Sequence, residues 1–170
     1  LRQLAEGLDH IHQCGIIHRD LKPGNLVVNQ EGTHLTILDF GLAFDYHLDN
    51  GATKMAGTPL YMSPEQLEGK DLTHHTDLFS LAEIACELLF GRHPYAATSV
   101  TELSNLVLCG EPLIDTSNAE LATVLSKGLS SQPLQRFTTA TSFVSACAAA
   151  LTNSAPHKPI LDSSPVIPIS

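Results

Sequence analysis

HRDLKPGN, His18 to Asn25, gathers a histidine, an arginine, an aspartate, a lysine and an asparagine into eight positions. A proline and a glycine interrupt it, so the stretch reads as an irregular loop rather than a helix or strand. The chain on either side is ordered. Before the loop, Leu1, Leu4, Ala5, Leu8 and Ile11 or His12 recur at helical spacing, and Gly15 stops that helix. After it, NLVV (Asn25 to Val28) and HLTIL (His34 to Leu38) are short β-branched-rich runs flanking NQEG, which predicts a small hairpin.

From Asp39 to Tyr61 no period is visible, and a loop of that length inside a compact domain is commonly functional. SPEQL starts a short helix at a proline. Thr76 to Phe90 reads as a long buried helix with Leu78, Leu81, Ile84, Ala85, Leu88 and Leu89 apolar, interrupted by Glu83 and Glu87 and stopped by Gly91. Further helices are expected over Ser99 to Cys109, Asn118 to Lys127 with Gly128 as its stop, and Thr138 to Leu151. Residues 1–151 read as one mainly α domain, and residues 152–170, with four prolines, as a flexible tail.

Composition narrows the function. The 170 residues are 43% hydrophobic and 16% charged, a globular balance. The formal charge of −9 argues against a broad nucleic-acid surface or a polybasic membrane patch. No apolar run approaches the roughly 20 residues that span a bilayer. Cys14, Cys86, Cys109 and Cys147 are scattered without metal-ligand spacing, so they read as reduced, mostly buried thiols in a reducing, cytoplasmic compartment. A metal site from His10, His12 and His18 is disfavoured, because positions two apart on a helix do not share a face.

Taken singly, Asp39 reads as the cap of a turn and Asn25 as the end of a loop. Together the motifs carry more. His18, Arg19, Asp20, Leu21 and Asn25 fill H-R-D-L-x-x-x-N, LDFGLA sets Asp39, Phe40 and Gly41 after the hairpin, and GTPLYMSPE spans Gly57 to Glu65. With TDLFSLAEIACELLFGRHPY they closely resemble, in order, the large lobe of eukaryotic-type (Hanks-type) serine/threonine protein kinases. The resemblance covers about residues 1 to 150 and implies a helical bundle with a small hairpin beside the catalytic loop.

It also implies roles. Asp20 is the candidate base for the substrate hydroxyl, and Lys22 supports the transferring phosphate. Asn25 and Asp39 supply hard oxygen ligands for Mg2+, and ATP is the second substrate, with a protein the first. Val27 would form part of the adenine floor and Leu26 part of the core. Arg19 would pair with a phosphate on the activation segment, with Thr53 the candidate phosphosite. Thr58 would shape the substrate site. His18, Phe40 and Gly41 would be structural, as would a Glu65–Arg136 ion pair and Asp77, which holds the catalytic-loop backbone. Gly24 stands where many relatives carry glutamate, Ser63 where alanine is usual, and Phe79 and Ala82 where tryptophan and glycine are common.

The Gly-rich loop, its strand lysine and the helix glutamate of the small lobe have no counterpart in these 170 residues. The chain by itself is therefore expected to bind ATP poorly and to need the missing small lobe. The alternative is a non-catalytic pseudokinase or kinase relic serving as a binding scaffold; intact Asp20, Lys22, Asn25 and Asp39 favour the enzyme.

Overall fold

The computed structural model describes residues 1–40, 44–45 and 59–153. The first helix, α1 (Arg2–Gln13), buries Leu4, Ala5 and Leu8 and ends before Gly15, which takes a left-handed turn at φ 77°. A two-residue strand, β1 (Ile16–Ile17), leads into the polar loop, which closes in a 3-10 turn over Pro23–Asn25. The hairpin follows as β2 (Leu26–Val28) and β3 (Leu35–Ile37), antiparallel with Leu26 opposite Ile37 and Val28 opposite Leu35. Asn29 makes its turn: the side-chain oxygen accepts from the Thr33 and His34 N–H groups at 2.8 and 2.9 Å.

A strand that no period in the sequence signals, β4 (Phe44–Asp45), pairs antiparallel with β1 inside the stretch expected to be loop. After a 3-10 turn at Pro59–Tyr61 come the short α2 (Pro64–Leu67) and the long α3 (His75–Phe90). The remaining helices are α4 (Val100–Cys109), α5 (Ala119–Gly128) and α6 (Ala140–Asn153). The expected starts at Ser99 and Asn118 are N-caps, whose side chains accept from Glu102 N–H and Leu121 N–H.

α3 is the axis of the molecule. Every residue from His75 to Cys86 is buried, including Phe79, Leu81, Ala82, Ile84 and Ala85, so this helix has no solvent face over three turns. α5 packs on α3, α6 on α5, and α1 on α6. Asp9 of α1 ties that last contact by accepting from the Ala140 and Thr141 N–H groups at the start of α6, at 2.6 and 3.0 Å.

Three local expectations change. Gly128 is not a stop but the last residue of α5. A Cβ there would lie 2.9 Å from Ala82 Cβ and 3.0 Å from a Phe143 ring carbon, so glycine permits the close approach of α5 to α3 and α6. Leu88 is exposed, because α3 leaves the core in its last turn. Cys86 and Cys147 are buried, whereas Cys14 and Cys109 are exposed; all four are free thiols. Among the described residues no helix is long and apolar enough to cross a membrane.

Candidate active site

The polar loop hangs from one carboxylate. Asp77, in the first turn of α3, is fully buried. Its Oδ2 accepts from His18 N–H at 2.8 Å and its Oδ1 from Arg19 N–H at 2.9 Å. His12 at the end of α1 donates from Nε2 to Oδ2 at 2.8 Å. Helix, loop and central helix therefore meet at a single side chain. Bonds to a charged acceptor are among the stronger ones in proteins.

That clamp sustains strain. Arg19 has φ 70°, a region that non-glycine residues seldom occupy and that costs about 1–3 kcal/mol. Its N–H is held by Asp77, and its carbonyl accepts from Gln66 Nε2 at 2.8 Å. Gln66 belongs to α2, where it also closes a capping box with Ser63. Ser63, where the resemblance leads to an expectation of alanine, thus starts the helix that holds the loop. Neither Ser63 nor Gln66 was assigned this role from sequence, although Ser-Pro-Glu-Gln has the capping-box spacing.

Held this way, the loop presents Asp20, which is nearly buried. Lys22 Nζ donates to Asp20 Oδ2 at 2.6 Å. Asn25 Nδ2 donates to Asp20 O at 2.8 Å and to Asp20 Oδ2 at 3.2 Å. Both donors of the Asn25 amide thus face Asp20, which leaves its oxygen for another partner. The hairpin then brings back Asp39: Leu38 N–H donates to Asn25 O at 2.8 Å, next to Asp39, whose φ is 61°. A carboxylate and an amide oxygen at neighbouring backbone positions are hard donors of the kind Mg2+ takes.

His18 lies fully buried beneath. Its Nε2 donates to Leu38 O at 2.9 Å, and its ring meets Phe40 edge-on at 5.0 Å. With His12 on Asp77 and His18 on Leu38, the histidines near the loop serve backbone and carboxylate. Val27 is 47% exposed on the hairpin, whereas Leu26 packs against the core. Gly41, Thr53 and Thr58 lie outside the described residues.

At the far side of α2, Glu65 and Arg136 meet in a buried two-point pair of 2.7 and 2.8 Å. Arg136 also donates to His75 O and Ser130 O, and Thr76 Oγ1 donates to Glu65. Burial alone would raise the Glu65 pKa, but the Arg136 guanidinium outweighs it and holds the carboxyl below its ordinary range.

A family model for the protein kinase domain matches residues 1–149. The chain belongs to the protein kinase family. Among curated relatives, it is 35% identical over 127 residues to Protein kinase 2 of Dictyostelium discoideum, covering 75% of this chain and 26% of that one. It is 33% identical to serine/threonine-protein kinase drp72 of Corynebacterium efficiens, covering 99% and 34%. It is 39% identical to the serine/threonine-protein kinase fused of Drosophila melanogaster, covering 61% and 13%. This kinase chain therefore spans between 13% and 34% of the length of these relatives. Its mainly helical body with a two-stranded hairpin is that of a kinase large lobe.

Proposed function

We propose that this chain is the catalytic large lobe of a serine/threonine protein kinase that transfers the ATP γ-phosphate to protein hydroxyls. The observation that carries the reading is Asp20, set between Lys22 and Asn25 on a backbone pinned by Asp77. Phosphoryl transfer depends on positioning and on charge stabilisation, and a carboxylate held between a lysine and an amide supports that reading.

Asp20 orients the incoming serine or threonine hydroxyl and accepts its proton. Lys22, now on the Asp20 carboxylate, moves its charge to the transferring phosphoryl group. Asn25 and Asp39 would hold Mg2+, which would supply charge neutralisation for the ATP phosphates. The exposed apolar side chains of Val27, Val28, Leu38 and Phe40 form the floor for adenine and the seat for a small lobe of the same chain. Free thiols suit a reducing, cytoplasmic setting.

The test is product analysis with the complete protein. Phosphoserine or phosphothreonine should appear on a generic protein substrate, and chelating Mg2+ should abolish it. ATP-independent binding of partners with no phosphorylated product would favour the scaffold.

A further inference from the structure

Glu83 sits midway along α3 with 0% exposure, and neither carboxyl oxygen has a hydrogen-bond partner. A bare carboxylate in that place would be costly. His93, in the loop after α3, has the complementary defect, because its Nε2 is buried without a partner. The two face each other, with Nε2 3.6 Å from Glu83 Oε1. That is a small side-chain adjustment beyond hydrogen-bond length.

The other ring nitrogen, Nδ1, lies 3.2 Å from both the N–H and the carbonyl oxygen of Tyr95, so in either neutral tautomer Nε2 is left to pair with a protonated Glu83, as donor or as acceptor. The ionisable groups around the pair are Cys86 and Glu87 on α3, Tyr61 on the 3-10 turn, Tyr95 beside His93, and Arg136. Burial raises the Glu83 pKa well above the ordinary carboxylate range against the pull of Arg136, with Glu87 reinforcing it. Burial also lowers the pKa of His93. Both shifts favour the uncharged form of each partner, as their burial without charged partners requires.

What they support is Tyr61. Its ring meets His93 edge-on at 5.4 Å, its hydroxyl donates to Glu87 at 2.7 Å, and its carbonyl accepts from Ser80 Oγ at 2.8 Å. Tyr61 ends the Pro59–Tyr61 turn, which directly follows Thr58. We propose that Glu83 and His93 form a neutral buried acid–imidazole hydrogen bond that positions this turn, and with it the surface that receives the protein substrate. The last clause rests on the kinase reading above; the pairing itself does not.

The test compares Glu83→Gln, Glu83→Leu and His93→Leu in the complete protein by hydrogen exchange over residues 59–62 and by steady-state kinetics. The amide of Glu83→Gln mimics a neutral acid, so exchange and KM should stay within about twofold of the parent. Glu83→Leu and His93→Leu should speed exchange at the turn about tenfold. They should raise KM for the protein substrate about 3- to 10-fold, with KM for ATP unchanged. Unchanged exchange in both leucine variants would overturn the proposal, as would a Glu83→Gln variant as disturbed as Glu83→Leu. KM values for ATP and protein rising together would overturn the substrate-surface role. An inactive parent would overturn the kinase reading instead, and the exchange comparison would still decide the pair.

Discussion

Asp77 accepts three hydrogen bonds from α1 and the polar loop, and each needs an acceptor. Asp77→Asn turns part of that carboxylate into a donor facing backbone N–H groups. Urea unfolding should show a loss of about 2–3 kcal/mol, in line with bonds to charged groups. Arg136→Met leaves Glu65 buried and unpaired, and should cost about 3–5 kcal/mol by the same measurement. The acid response follows from the lowered Glu65 pKa. The pairing stabilises fully above the carboxyl's ordinary value and is lost as pH falls through the lower folded value. Glu83 has the opposite sign, because its folded pKa is raised. An unfolded chain releases that proton above the ordinary carboxylate range while the folded chain keeps it, so stability declines as pH rises. Glu83→Gln should remove that decline, seen as a higher Tm at pH 8 and a flatter pH profile. Most of the loop residues can be read from sequence, because their types match a known chemistry. Glu83 cannot: in the sequence it is only an interruption in an apolar helix, and its partner His93 lies beyond the helix end.

Elements were legible where a period or a cap announces them. α1, the hairpin, α3 and the three C-terminal helices follow from helical spacing, β-branched runs, and serine, asparagine and glycine punctuation. β4 was not, since two residues carry no period and its pairing with β1 is long-range. Gly128 was misread because a glycine at a helix end looks the same whether it frees the backbone or admits a neighbouring helix. Gly128→Ala should therefore destabilise by about 1–3 kcal/mol through overpacking against Ala82 and Phe143, measurable by chemical denaturation. A mere stop would tolerate alanine. At α2, Ser63→Ala restores the residue usual in the family yet removes the cap. It should cost about 1 kcal/mol and loosen Gln66, which holds the Arg19 carbonyl.

The described residues form a bundle built around one buried helix, with the polar loop carried at the N-terminal end of that helix and the apolar hairpin face exposed. The same architecture explains how Arg19 is kept in strained backbone: α2 and α3 each hold it by a side chain, and His12 of α1 braces the Asp77 carboxylate. The central claim is that this loop performs phosphoryl transfer with Asp20 as base. The direct measurement is the rate of phosphate transfer from ATP to a protein serine or threonine by the complete protein and its Asp20→Ala variant. The account predicts a loss of about 10²–10⁴-fold with folding intact. Transfer at the parent rate by a folded Asp20→Ala protein would contradict it.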